Sequence, residues 1–374
     1  MTLPRKLLLN PGPCTTTDAV KRALLVSDIC PREAEFGAIV TGVREKLLNV
    51  AGADAATHTA VLIAGPGTAA VESALGSLVP REGRVLILDN GAYGQRASEI
   101  CAALGVPART WHVPWTERPS PAEFAAQLDA PGGQCSHAFW VHHETTTGLL
   151  NHLDEFGAAC RERGVVSIVD AMSSFAGIPL VLRDLPVDFL LSSANKCLQG
   201  MPGVAFILAR RAPLAAAAAQ KICRSVALDL HRHVRAEVAE GQFPFTPPVQ
   251  VLYALDRALD ETLAEGVPAR AARYGACHAT MLAGMEALGF DPLLSPALRS
   301  GLLTAFRTPT WPGYSFDGFH DFLFARGITL YPGKLPGADT FRVATIGALT
   351  SADIEVFLAA TREWLLTLKR TSGQ

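Results

Sequence analysis

Lysine is scarce in this chain, seven in 374 residues, and none falls between Lys46 and Lys196. Lys196 closes the segment Phe189-Leu190-Leu191-Ser192-Ser193-Ala194-Asn195-Lys196, where an apolar run gives way to small polar residues. A lysine at such a strand end also suits a side chain that snorkels to water. Desolvated instead, its amine would lose its proton more readily and could form a Schiff base. Asp170 stands at the end of another apolar run, Val165-Val166-Ser167-Ile168-Val169. It fits a helix cap or turn, or a carboxylate that holds a proton on a pyridine nitrogen and keeps that ring an electron sink. The two are 26 residues apart, the length of one β-α-β unit.

Three further clusters have the same placement. Gly65-Pro66-Gly67-Thr68 lies between the run Val61-Leu62-Ile63 and a helix-like stretch, Ala69 to Leu78. Such a loop points backbone N–H groups and a helix N-terminus at a phosphate. Gly65, Gly67 and Ala70 also satisfy G-x-G-x-x-A, with Asp89 22 residues after Gly67, so a dinucleotide site of a dehydrogenase is a competing reading. That reading leaves Asp170 and Lys196 unused. Tyr93, in Asn90-Gly91-Ala92-Tyr93-Gly94, offers a flat ring for stacking or a turn tyrosine. Thr145-Thr146-Thr147-Gly148 offers hydroxyls to a phenolate. The adjacent His142-His143-Glu144 has no metal-ligand spacing, and neighbours on a strand point to opposite faces, so no metal is expected.

The elements that must position these groups are legible as apolar runs: 61–63, Val85 to Leu88, Phe139 to Val141, 165–169, 189–191 and Val204 to Leu208. Runs apolar at every position suit strands covered on both faces, and their alternation with helices implies a mostly parallel sheet. Ligands of open α/β sheets bind beyond the carboxyl ends of the strands. One site assembled from Gly67, Tyr93, Thr146, Asp170 and Lys196 is therefore expected. After Thr246-Pro247-Pro248 the pattern changes. Residues 249–290 read as helices broken at Gly266-Val267-Pro268; Leu302 to Phe306, Ile328 to Tyr331 and Phe341 to Ile346 read as strands, and a last helix starts near Ser351. The expected organisation is α/β: a large domain over 15–245 with a mostly parallel central sheet, and a smaller α+β C-terminal domain over 246–374, joined by 1–14.

Bulk properties narrow the function classes. Net charge is −2 with a pI near 6.6, and no basic cluster suggests a nucleic-acid or membrane partner. Hydrophobic residues make up 49% and charged residues 18%, enough for a large core. Eight cysteines lack any C-x-x-C spacing and read as free thiols of a reducing compartment. The N-terminal run Leu7-Leu8-Leu9 stops at Asn10-Pro11 and is too short for a signal peptide, so a cytoplasmic location is expected.

The order Leu7–Pro13, Asn90–Gly94, His143–Gly148, Asp170-Ala171-Met172-Ser173-Ser174-Phe175, Ser192–Gly203, Tyr331-Pro332-Gly333-Lys334 and Phe341-Arg342 resembles class V, fold-type I aminotransferases dependent on pyridoxal phosphate. Within them it is most similar to the branch acting on 2-aminoethylphosphonate and pyruvate. The resemblance implies that Lys196 binds the cofactor as a Schiff base and moves the proton, and that Asp170 pairs with the pyridine nitrogen. It implies further that Tyr93 stacks on the ring, Thr146 lies near the phenolate, and Gly67 and Thr68 hold the phosphate. Thr246 is expected to reach the cofactor phosphate of a neighbouring subunit in a homodimer. Arg342 is expected to bind the substrate anion, with Thr15 and Thr16 as a second place for a phosphonate. An alanine–glyoxylate or serine–pyruvate type activity is the alternative within the fold; a cysteine desulfurase would carry His in place of Tyr93. Two departures stand out. Pro66 replaces the family's usual Ser and removes a hydroxyl and an N–H from the phosphate loop. The segment 211–245 matches less well and is expected near the mouth of the site.

Overall fold

The computed structural model describes residues 5–131, 134–333 and 335–371; Lys334 lies outside them. Seven strands build the main sheet: β1 (His58–Ala64), β2 (Val85–Asp89), β3 (Ala108–His112), β4 (His137–Val141), β5 (Val166–Asp170), β6 (Phe189–Ser193) and β7 (Val204–Arg210). Their order is β1-β7-β6-β5-β4-β2-β3. All neighbours pair in parallel except β7, which runs antiparallel to both β1 and β6.

The apolar runs are strands because both faces are covered. In β1, Leu62 packs into the core on one side of the sheet, while Val61 and Ile63 pack into the core on the other. Phe206 and Ile207 of β7 divide in the same way. Helix α1 (Ala34–Val50) covers the first face with Phe36, Val40, Val43 and Leu47. Helices α2 (Gly67–Leu78) and α3 (Ala92–Leu104) cover the second with Val71, Leu75 and Ile100.

Three features differ from a plain reading of the apolar runs. β3 has no counterpart among the apolar runs. It is an edge strand with Ala108 and His112 exposed, and Thr110 turned to the Ser98 hydroxyl. The connection between β5 and β6 was expected to hold a helix. The strands do pair in parallel, Ile168 opposite Phe189, but 171–188 is a succession of turns among which no helix forms. The break at residue 246 does not coincide with a change of core. Helix α4 (Val249–Glu265) buries Leu252, Leu255 and Leu259 in the same core as α1, so it packs with the main sheet.

Helix α5 (Val267–Ala287) and helix α6 (Ser351–Thr371) share a separate core with Phe290, Phe306, Phe319 and Phe341. There a second sheet, β8 (Leu303–Arg307), β9 (Tyr331–Pro332) and β10 (Thr340–Ala344), is ordered β8-β10-β9 and antiparallel. The expected strand 328–331 is split: Ile328–Thr329 pairs in parallel with Leu7–Leu8, while Tyr331–Pro332 pairs with β10. The N-terminal segment is thereby tied to the C-terminal part of the chain.

Candidate active site

A cavity of about 480 Å³ opens beyond the carboxyl ends of β1, β2, β4, β5 and β6, with Gly203 at the start of the antiparallel β7 completing its rim. This volume lies within the range of small-molecule sites. Gly67, Thr68, Tyr93, Asp170 and Lys196, drawn from four separate strand ends, line it together.

Lys196 follows β6 by three residues, and its Nζ donates to the Pro11 carbonyl oxygen. Burial lowers its pKa below the usual lysine value; the nearby Cys14, Cys197 and Asp170 act in the opposite sense. A lowered pKa favours the unprotonated amine, the form that attacks a carbonyl. Gly12 makes this packing possible: a Cβ there would lie 2.5 Å from the Lys196 Cδ. Asp170 is buried at the end of β5 and accepts from the Met172 N–H at 2.9 Å. Burial pushes its carboxyl up to about 6; the Met172 hydrogen bond and the charges of Lys196 and Arg96 oppose that rise. A buried carboxylate with so little compensation is stabilised by a cationic ring partner.

At the third corner, α2 begins at Gly67 with Pro66 as its N-cap, and Pro66 offers no side-chain cap. Gly67 and Thr68 present the first N–H groups of a twelve-residue helix to the cavity. The residues fit pyridoxal phosphate on three grounds: an amine and a carboxyl face one cavity, a helix start stands at its side, and one buried acceptor lacks a partner. That acceptor is on His143, which lines the cavity. Burial pushes its pKa down to about 3, so the ring is neutral; Nδ1 faces the Ser173 carbonyl at 3.3 Å and Nε2 has no partner among the described residues.

Comparison with known proteins gives the same assignment. Residues 21–331 match the family described as aminotransferase class-V. The chain belongs to the class V aminotransferases. It is 42% identical over 359 residues to a 2-aminoethylphosphonate–pyruvate transaminase of Syntrophobacter fumaroxidans, covering 96% of this chain and 95% of that protein. It is 41% identical to one of Salmonella heidelberg, over 99% of this chain and 100% of that protein. Among solved structures it superposes on pyridoxamine–pyruvate aminotransferase of Mesorhizobium loti with a TM-score of 0.86 at 26% identity, covering 100% and 95% of the two chains. It shares the fold of ureidoglycine–glyoxylate aminotransferase of Bacillus subtilis, TM-score 0.90 at 23% identity, over 99% and 95% of the two chains.

The dinucleotide reading of the glycine loop does not survive. The strand before it, β1, is an edge strand antiparallel to its neighbour, rather than the start of a parallel β-α-β unit. Asp89, its supposed ribose ligand, instead bonds the His112 ring at 2.8 Å. The paired histidines diverge as strand neighbours should. His142 bonds the Ser174 hydroxyl and lines a second cavity with Leu153 and Leu180, while His143 faces the first.

Several expected residues of this aminotransferase are placed differently. Thr146 is buried, but its hydroxyl is taken by Glu144 Oε1 at 2.7 Å, and Thr145 is the threonine that lines the cavity. Thr15 is turned away: its hydroxyl accepts from Leu8 N at 2.9 Å and donates to the Lys6 carbonyl at 3.2 Å. Neither Thr15 nor Thr16 lines the cavity. Thr246 is exposed and outside it. Arg342, in β10, is 2% exposed and sits behind the cavity wall. Its Nε donates to the Pro332 carbonyl and one terminal nitrogen to the Thr145 carbonyl, both at 3.1 Å. A further side-chain hydrogen bond joins it to Tyr93, and its remaining N–H groups are left for another acceptor.

Two residues gain a place that their sequence context did not give them. Glu144 is fully buried and accepts from Thr146 N at 2.9 Å, Thr146 Oγ1 at 2.7 Å and Tyr93 N at 3.2 Å. Burial lifts its pKa to about 7 against those three donors. It ties the start of α3, and so Tyr93, to the β4 loop. Arg96 lines the cavity one helical turn after Tyr93. That spacing on one helix face was the available signal.

Proposed function

We propose that this aminotransferase moves an amino group from 2-aminoethylphosphonate to pyruvate, giving phosphonoacetaldehyde and L-alanine in phosphonate breakdown, with pyridoxal 5′-phosphate as cofactor. The convergence of Lys196 and Asp170 on one cavity supports the chemistry. Full-length similarity at 41–43% identity to proteins of that name supports the substrates. When bound, pyridoxal phosphate supplies the carbonyl that takes the amino group and the ring that accepts the electrons of the broken Cα–H bond. Lys196 supplies the amine that holds the cofactor and, once displaced by substrate, a base beside the substrate Cα. Asp170 keeps the proton on the ring nitrogen. Tyr93 covers the ring, Gly67 and Thr68 hold the phosphate, and Glu144 fixes the turn that carries Tyr93. Thr146 reaches the phenolate side only through a shift of its bond to Glu144. Arg342 orients the phosphonate of one substrate and the carboxylate of the other.

The active assembly in this proposal is a cytoplasmic homodimer with shared sites. The exposed Thr246 is free to reach a neighbouring subunit's phosphate. The cysteines are mostly buried and at least seven of the eight are unpaired thiols, which suits a reducing compartment. No helix among the described residues is long and apolar enough to cross a membrane. A division into 15–245 and 246–374 with 1–14 remains the proposed organisation, with α4 packed on the large domain.

The test is to add single amino donors to the cofactor-loaded enzyme without keto acid and follow its visible absorbance. Bleaching by 2-aminoethylphosphonate, reversed by pyruvate, is the expected result. Bleaching by serine with none by 2-aminoethylphosphonate would replace the substrate assignment with the serine–pyruvate type.

A further inference from the structure

We propose that Arg96 is a cofactor-binding residue that supplies the fixed positive charge for the phosphate, in the place of the donor that Pro66 removes from the loop. Of the residues lining the cavity, Arg96 is the one guanidinium. A terminal nitrogen of Arg96 is 3.4 Å from the Thr68 hydroxyl in the first turn of α2, and its guanidinium carbon is 4.9 Å from the centre of the Tyr93 ring. The charge is therefore bracketed by the hydroxyl at the helix start and the ring expected to cover the cofactor. Among the described residues no carboxylate stands within ion-pair distance of Arg96. The other guanidiniums near the site lie outside the cavity lining: Arg342 bonds two carbonyls behind its wall, and Arg270 and Arg273 pair with Glu265. A cation lining a cavity with no carboxylate in contact, beside free helix N–H groups, suits an anion.

The phosphate loop explains why a charge is needed there. A helix start offers partial charge from its first N–H groups. Pro66, extended at φ −71° and ψ 168°, contributes neither N–H nor hydroxyl. Two N–H groups and the Thr68 hydroxyl are left at the loop for a dianion. A guanidinium adds charge and a planar pair of donors, which suit phosphate oxygens. It also spans from α3 to α2, so a phosphate held between them would fix both helices that carry cofactor contacts.

The inference rests on the pyridoxal phosphate reading, and the experiment separates the two. Apo protein is prepared from wild type, Lys196→Ala, Arg96→Gln, Arg96→Lys, Pro66→Ser and Arg96→Gln with Pro66→Ser. Cofactor affinity is measured by equilibrium dialysis, and folding is controlled by the melting of each apo protein. Arg96→Gln is expected to raise the dissociation constant roughly tenfold to a hundredfold, the loss of a charged hydrogen bond. Arg96→Lys should lose less, since it keeps the charge but not the fork. Pro66→Ser should tighten binding in both backgrounds, and by more in the Arg96→Gln protein, where no charge remains to mask a restored donor. With cofactor saturating, KM for 2-aminoethylphosphonate should change less than about threefold. Unchanged cofactor affinity in a well-folded Arg96→Gln, or an effect confined to KM, overturns the proposal and leaves Arg96 a substrate contact. Failure of wild type itself to bind pyridoxal phosphate through Lys196 would overturn the cofactor reading instead.

Discussion

Asp170→Asn should make the apo protein more stable and the enzyme far slower. The folded environment raises the Asp170 carboxyl from 3.8 to about 6, chiefly by burial. Folded protein thus holds this proton more tightly than unfolded protein does. Stability falls as pH rises from about 4 to about 6, and above that the cost is fully present. Two pH units at about 1.4 kcal/mol each give a cost of about 3 kcal/mol for keeping the carboxylate ionised in the empty site. Asparagine is nearly the same size, carries no charge, and its Oδ1 can accept the Met172 N–H that Oδ1 of Asp170 accepts now. The variant apo protein should therefore melt higher than wild type at pH 8, and the difference should vanish towards pH 4. With cofactor present the balance reverses. An amide cannot hold a proton on the ring nitrogen, so the rate should fall by orders of magnitude. Melting of the two apo proteins at several pH values, with single-turnover rates of the loaded enzymes, decides the matter. No gain in apo stability at pH 8 would refute the burial argument. A near-normal rate would leave Asp170 a turn residue.

Lys196→Ala should abolish turnover and the visible absorbance of the covalently held cofactor, while noncovalent binding persists in dialysis; steady turnover would refute its role. Arg342→Lys should slow both half-reactions roughly tenfold to a hundredfold, because an ammonium cannot keep the bonds to Pro332 and Thr145 and still offer a planar pair to substrate; a loss confined to the pyruvate half would place the phosphonate elsewhere. Gly91→Ala should cost about 1–3 kcal/mol of stability by overpacking, since its Cβ would fall 2.1 Å from the Glu144 Cδ; a chemical denaturation midpoint equal to that of wild type would show that the β4 loop yields freely.

The fold was legible wherever a strand is covered on both sides, because burial then favours apolar residues at successive positions. β2, β4 and β6 are buried along their whole length, and the apolar runs mark most of each, with polar Asp89, His137, Ser192 and Ser193 only at their ends. β3 is paired along one edge and half-open to water, so its residues Ala-Arg-Thr-Trp-His carry no continuous apolar signal. The link from β5 to β6 shows the opposite failure. A spacing of 26 residues satisfies a parallel crossover by length alone, yet turns fill it where a helix was expected. Length constrains where the next strand can pair; it does not dictate what bridges the gap.

The site divides along the same physical line. Lys196, Asp170, Gly67 and Tyr93 sit at or just past strand ends, where chain direction changes and small polar residues interrupt apolar runs, so sequence marks them locally. Most hydrogen bonds that decide the remaining side chains join residues far apart in the chain, and local composition cannot register those. Glu144 reaches Tyr93 N across 51 positions, and Arg342 reaches Thr145 across 197. Thr146 was expected at the cofactor because hydroxyls in a loop after a strand are free on paper; a carboxyl two residues away takes its proton first. The same contest explains Gly91. Its φ of 170° is open to any residue, so conformation alone gives no reason for glycine there. The reason is the Glu144 carboxyl packed where a side chain would begin. A glycine after a strand thus has two distinct origins, a backbone angle or a neighbour's approach, and substitution by alanine separates them: here the cost must fall when Glu144 is shortened to alanine as well.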